Sequence, residues 1–355
     1  MLRTAKWRDG QGMTTIKDVA AAAGVSPSTV SRVLNNGPKV DPALARRVRK
    51  AAAQLDYRPS RVAQSLRRQR SHVWMLLVPD VRNPFFTDMV RGVEDAARGA
   101  GYALTLCNTD DDVAQERRYL ELALNERVSG VILSPASDTR SAVEHLTAKG
   151  IPVVTVDRVL EHDSVDAVLV DNRDGARKAT GHLLEAGYRN LACITGPEGQ
   201  TTAADRLAGF RDAHTDCGVK LRPELIRHGD FRISGGEKAA DELLRSPEPP
   251  DAVFVANNLM TLGTLDAITA AGLNIPSDIA IVGWDDAPWA PLLRPALTTV
   301  AQPTHELGQQ TAALLESRIA GSTAPQRIIT LRTHLNVRAS STPASALPLP
   351  RTGNV

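Results

Sequence analysis

Apolar positions along the chain change rhythm near residue 72. Before it they recur at helical spacing in short bursts; after it short apolar runs alternate with longer amphipathic stretches. In TTIKDVAAAAGV, Ile16, Val19, Ala20 and Ala23 fall at i, i+3, i+4 and i+7, one face of about two helical turns. Thr15 and Asp18 stand in capping-box relation ahead of that face, and Gly24 suits the left-handed residue that ends a helix. The next stretch, GVSPSTVSRVLN, carries the β-branched Thr29, Val30 and Val33, which hint at a strand, yet Pro27 would remove a ladder donor. Ser26 as N-cap and Pro27 at the first helical position resolve the conflict in favour of a short helix. Val30, Val33 and Leu34 then share one face, and Ser28, Ser31 and Arg32 the other. A third helix is expected after Asp41-Pro42, with Leu44, Val48, Ala51, Ala52 and Leu55 inward and Arg46, Arg47, Arg49 and Lys50 over the remaining surface.

Helix, glycine turn and helix, with Ala20, Gly24 and Val30 at +4 and +6, is the pattern of a DNA-binding helix-turn-helix. Charge supports that expectation. Residues 1–70 hold fifteen Lys or Arg against four Asp and no Glu, a balance of +11, while the remaining 27 basic and 36 acidic residues sum to −9. A basic head on an acidic body calls for a polyanionic partner at the head alone.

In the body, VWMLLV (73–78), ALTLC (103–107), GVILS (130–134), PVVTV (152–156) and AVLV (167–170) read as buried parallel strands. LACI (191–194), AVFVA (252–256) and IAIVG (279–283) continue the series, with amphipathic helices such as TDMVRGVEDAARGAGY between them. Strand–helix alternation predicts a doubly wound α/β architecture. Ala-Gly-Tyr precedes a strand at 100–102 and again at 186–188, which points to two lobes of one plan.

The run TIKDVAAAAGVSPSTVSRVLN, followed by RRV and LDYRPSRVAQSLR, resembles the lactose/galactose-repressor family of bacterial transcription regulators. VPDVRNPFF (78–86), VDR (156–158), ADRLAGF (204–210), VGWDD (282–286) and LTTVAQP (297–303) extend the likeness over roughly 14–338. The resemblance implies a helix-turn-helix head (14–58), a hinge helix (59–71) and an effector-binding core of type I periplasmic-binding-protein fold (72–338). Composition adds a disordered leader (1–13) and, from the Pro-, Ser- and Ala-rich end, a disordered tail (339–355). Lobe 1 is expected over about 72–170 plus 302–330, and lobe 2 over about 171–301 plus 331–338.

Carried onto matching positions, the resemblance makes Pro27, Ser28 and Arg32 the major-groove readers, Arg32 being suited to a bidentate contact with guanine. Ser26, Thr29 and Asn35 are expected on phosphates. In the hinge, Leu66 is implied as an apolar wedge in the minor groove and Ala63 at the hinge–hinge contact, with Arg61 and Arg67 holding phosphate. The effector pocket is implied at Phe85, Phe86, Asp157, Arg206, Phe231, Asn257 and Asp285, and either Trp284 or Trp289 is a candidate to stack on a sugar. Carboxylates, a guanidinium and aromatic rings are the groups a polyhydroxylated ligand needs. The chain departs from the family pattern at Asn257-Asn258, where Asn-Asp is common, and at Trp284, where Tyr or Phe is usual.

The expectation is a cytoplasmic, homodimeric repressor that binds near-palindromic double-stranded operator DNA and answers to a sugar. No cofactor, metal, membrane contact or enzymatic activity is expected. His, Cys and Gly residues form none of the usual ligand, nucleophile-elbow or phosphate-loop motifs. The alternative, a solute-binding protein without a DNA role, fits neither the basic head nor the N-terminal MLRTAKWRDGQGMTT, which lacks an apolar signal core.

Overall fold

The structure, a computed structural model, describes residues 14–34, 40–57, 71–136, 140–160 and 165–342. The chain divides into two units, one ending at Ser71 and one starting at His72.

The first unit holds α1 (Ile16–Ala23), α2 (Pro27–Leu34) and α3 (Pro42–Gln54). Asp18 accepts from both the Thr15 amide and its hydroxyl, each at 2.7 Å, and these bonds hold its carboxyl below the usual range. Gly24 takes φ 64°, and the Val25 amide closes back onto the Ala20 carbonyl at 3.0 Å. Asp41 caps α3 through the Ala43 and Leu44 amides at 2.8 and 2.9 Å. Val19, Ala20, Ala23, Val30, Val33, Val48, Ala51 and Ala52 form the nucleus, all nearly inaccessible. Because most of these side chains are small, the helices approach closely, and Arg47 reaches across to the Ala23 carbonyl at the end of α1. One of the four basic residues of α3 is therefore a helix cap.

The second unit begins with β1 (Val73–Val78), α4 (Pro84–Gly99), β2 (Ala103–Asn108), α5 (Val113–Asn125), β3 (Gly130–Leu133), α6 (Arg140–Ala148), β4 (Val153–Val156) and β5 (Asp166–Val170). It continues with α7 (Asn172–Glu185), β6 (Leu191–Thr195), α8 (Thr201–Asp216), β7 (Ile226–His228), α9 (Ile233–Leu244), β8 (Ala252–Val255), α10 (Asn258–Ala270) and β9 (Ala280–Trp284). β10 (Thr298–Ala301), α11 (Thr304–Ile319), β11 (Ile328–Leu331) and β12 (His334–Asn336) complete it. One sheet runs β11-β5-β4-β3-β1-β2, all parallel; the other runs β12-β10-β9-β8-β6-β7, parallel except for β12. The chain passes between the two sheets after β5, after β10 and after β11, so two similar lobes share three connections. Strand β1 shows why the first sheet is covered on both faces. Trp74, Leu76 and Val78 join one cluster with Met89 and Leu307, while Met75 and Leu77 join another with Leu120 and Leu146.

Two sequence expectations need correction. ALTLC forms a strand but not a buried one: β2 lies at a sheet edge, and Leu106 is 43% exposed. The segment from Ser340 is not simply tail. Ser340 bonds the Thr298 amide and the Ile281 carbonyl at 2.8 and 2.7 Å, and Ser341 bonds Thr298 and His182. Serine-rich composition there supplies hydrogen bonds to strand ends instead of solvating a free chain. Of the three free cysteines, Cys107 and Cys193 are buried and Cys217 is exposed.

Candidate effector pocket and DNA-reading helix

Helix α2 presents Ser26, Pro27, Ser28 and Arg32 to solvent, with Thr29 half-buried and Val30 and Val33 inward. Ser26 is drawn into a hydroxyl cluster, 2.8 Å from Ser28 and 2.9 Å from Thr29, and accepts the Thr29 amide at 3.3 Å. These bonds satisfy one of the amides that a helix start leaves open. The helix thus offers a small, rigid, mostly neutral tip with one guanidinium a turn further on. Asn35, Arg61, Ala63, Leu66 and Arg67 lie outside the described residues.

Between the lobes, the C-terminal ends of the strands surround a cleft of about 480 Å³, mouth included. It gathers Phe85, Phe86, Asp157, Arg206, Phe231, Asn257 and Asp285. Phe85 and Phe86 open α4, where Asn83 caps the Phe85 amide at 2.9 Å, and their rings meet edge to face at 4.8 Å. Asp157 follows β4, Phe231 follows β7 and Asp285 follows β9, the positions where open α/β sheets bind ligands. All three take left-handed backbone, φ 67°, 60° and 69°, as does Asp111 of the same wall at 59°. Non-glycine residues seldom adopt that conformation, and such strain concentrates where function requires it.

The charges are arranged around Arg206. Its Nε donates to Asn172 at 2.8 Å, its Nη1 donates to the Ala256 carbonyl at 2.6 Å, and its guanidinium lies 4.1 Å from the Trp284 ring centroid. Burial pushes the Asp285 carboxyl up to about 6, although Arg206 and a 2.5 Å hydrogen bond from Gln302 favour its ionised form. Burial likewise raises Asp157, opposed by Arg158 and Arg206.

Trp284 is not part of the wall. It is fully buried, edge-on to Phe254, and serves the pocket by supporting Arg206 from behind. Its place at the end of a central strand points the indole into the lobe 2 core. Asn257 does line the cleft, but its carboxamide already caps α10 through the Met260 amide at 2.8 Å and donates to the Phe231 carbonyl at 3.2 Å. Asp111, in the acidic run that follows β2, pairs with buried Arg158 at 2.5 Å.

Polar residues that the sequence pattern did not single out complete the wall: Asp80, Asn83, Arg158, Thr202, Arg232 and Gln302. Several sit inside or beside the motifs VPDVRNPFF, VDR and TTVAQP, and the available signal was a polar side chain just past a strand end. Among the described residues, two buried polar atoms of this wall make no hydrogen bond: Gln302 Oε1, and Arg158 Nε, which lies 3.7 Å from the Asp157 carboxylate. A donor and an acceptor held unsatisfied beside carboxylates and phenyl rings suit a ligand rich in hydroxyls.

Both units have counterparts among known proteins. Residues 15–60 match the model of bacterial regulatory proteins of the lacI family, and residues 71–337 match that of periplasmic binding proteins and the sugar binding domain of the LacI family. The ribose operon repressor of Escherichia coli K12 is 37% identical over 331 residues, 93% of this chain and all of the relative. The transcriptional repressor PurR of Aliivibrio fischeri MJ11 is 34% identical over 332 residues, 92% of this chain and 98% of the relative. Among solved structures, the lac repressor dimer bound to operator and the anti-inducer ONPF matches with TM-score 0.83 and 28% identity, covering 93% of this chain and 100% of that one. A LacI family transcriptional regulator from Enterococcus faecium with bound ribose matches with TM-score 0.70 and 30% identity, covering 76% and 99%.

Proposed function

The chain belongs to the LacI family of bacterial regulatory proteins, and on that premise we propose that it represses a pentose-utilisation operon and releases it when ribose fills the interlobe cleft. It is a sequence-specific DNA-binding transcriptional regulator and not an enzyme. Among the described residues no helix is long and apolar enough to cross a membrane, and we place the protein with its DNA in the cytoplasm. A homodimer reading a near-palindromic operator is the working form, as the basic head and the dimeric lac repressor relative suggest.

One observation carries the choice of effector. Asp157 and Asp285 flank Arg206 within a cleft whose wall also carries three phenyl rings and polar side chains, among them Arg158 and Gln302, each with an atom that makes no hydrogen bond among the described residues. The carboxylates accept hydroxyl hydrogens, Arg206 forks across neighbouring oxygens, and Phe85, Phe86 and Phe231 cover the apolar face of a ring. The ribose operon repressor and the ribose-bound regulator among the relatives favour a pentose over other polyols. At the head, Arg32 pairs with guanine, Ser28 and Pro27 contact neighbouring base edges, and Ser26 and Thr29 hold phosphate.

The test is isothermal calorimetry with a panel of pentoses, hexoses, sugar phosphates, nucleosides and purine bases, followed by a gel shift with and without the best binder. Tightest binding of ribose, accompanied by loss of the shifted band, is the expected result. A hexose or a purine base binding more tightly than ribose overturns the pentose assignment.

A further inference from the structure

Across the mouth of the cleft, Asp80 of lobe 1 meets Arg232 of lobe 2. Arg232 Nη1 donates to Asp80 Oδ2 at 2.6 Å, and Nη2 reaches the Asp110 carbonyl at 3.3 Å. Asp80 is fixed from its own lobe by Arg82, which donates from its backbone amide and its Nε at 3.0 Å each and from its Nη2 at 3.1 Å. Arg232 is fixed from the other side, since its backbone amide bonds Asp230 at 2.8 Å and it directly follows the left-handed Phe231. Both members line the pocket. The Asp80 side chain is 8% exposed and that of Arg232 27%, so the pair stands where cavity gives way to solvent.

We propose that the Asp80–Arg232 ion pair is a size gate, a bar across the outer end of the cleft that admits a single unsubstituted pentose ring and excludes a longer ligand. The inference rests on the pentose reading of the pocket. The inner end cannot lengthen, because Arg206 is backed there by fully buried Trp284. A substituent on the ring must therefore leave through the mouth and separate the pair. Losing a charge-assisted hydrogen bond between partly buried partners corresponds to roughly tenfold to a hundredfold in affinity.

Lobe closure does not depend on the bar alone. Asn258 Nδ2 donates to Asn83 Oδ1 across the interface at 2.8 Å, and Gln200 bonds the Ala136 carbonyl at 3.1 Å. Asn258 is the position where the chain departs from the family's acid. A carboxylate there could not donate to Asn83 while Asn83 still caps the Phe85 amide. Opening the bar thus leaves two other bridges between the lobes.

The experiment is calorimetry on the full chain with ribose and two longer probes, adenosine (extended at C1) and 5-O-methylribose (extended at C5). The wild type is expected to prefer ribose over at least one extended probe by about a hundredfold. In Arg232→Ala, and separately in Asp80→Asn, that ratio is expected to fall at least about tenfold, with no further fall in the double variant because both remove one bar. An unchanged ratio in both variants, with ribose still bound, overturns the gate and leaves the pentose reading standing. Loss of all sugar binding in both variants also overturns it, making the pair a ligand contact. Absence of ribose binding by the wild type overturns the pentose reading and the gate with it.

Discussion

At the scale of single residues, the pocket depends on backbone positions that few side chains tolerate. Phe231 is held over the cleft because residue 196 is glycine: a Cβ there would lie 2.1 Å from the tip of the Phe231 ring. Gly196→Ala must therefore push the ring out of place. The end of one flexible side chain can move, so folding should survive, but ribose affinity should drop at least about tenfold by calorimetry. Phe231→Ala should match that loss, and the double variant should lose little more. Asp285 makes a second prediction, through pH. Its carboxyl is raised to about 6 by burial, and on the proposed reading of the pocket a sugar hydroxyl would donate to the ionised form. Ribose affinity should be level above pH 6 and fall below it by up to about tenfold per unit. The sign for stability of the free protein is opposite. A raised carboxyl contributes stability that is complete below its unfolded value of 3.8 and lost as pH rises through about 6. Asp285→Asn should flatten both profiles, and a binding profile that keeps its slope in that variant assigns the proton elsewhere.

At the scale of elements, α2 shows what sequence alone could and could not specify. Its start at Pro27, its inward Val30 and Val33, and its exposed Ser28 and Arg32 were all legible, because caps and 3.6-residue spacing are local. The strands built on unbroken apolar runs were legible because such runs are also local. β7, β10, β11 and β12 were not, since polar residues interrupt them and three of them lie at sheet edges, where pairing rather than hydrophobicity defines the strand. Trp284 marks another limit: which side of a strand end faces a cleft depends on the neighbouring sheet, and the indole turned inward to hold Arg206. Asp111 likewise depends on Arg158, 47 residues away. The prediction proper to this scale concerns α2. Arg32→Ala should reduce discrimination between operator and random DNA by about 1–3 kcal/mol while weak, salt-dependent binding persists. Competition gel shifts at two salt concentrations measure it, and retained selectivity rules Arg32 out as the reader. Asp41→Ala, which removes two amide bonds at the start of α3, should cost the head about 1 kcal/mol in urea denaturation.

At the scale of the whole molecule, the regulator has to convert sugar binding into a change in DNA affinity. The residues lining the cleft come from both lobes: Phe85, Phe86 and Asp157 from one, Arg206, Phe231 and Asp285 from the other. A filled pocket therefore favours whichever lobe arrangement brings those groups together, and only the difference in affinity between arrangements can shift the equilibrium. A repressor of sugar use must release DNA when the sugar is present, so ribose should weaken operator binding. Allosteric coupling of about 1–3 kcal/mol is typical, or roughly 5- to 150-fold. Linkage then fixes a second number in advance. Saturating operator must weaken ribose binding by the same factor, because both routes around the cycle join the same four states. Gel shifts with and without saturating ribose give the first factor, and calorimetry with and without saturating operator gives the second. Arg206→Ala should abolish both factors together, leaving operator affinity at its sugar-free value. Arg32→Ala should leave ribose affinity of the DNA-free protein untouched. If operator affinity in Arg206→Ala still falls on adding ribose, the sugar acts at a site other than the interlobe cleft.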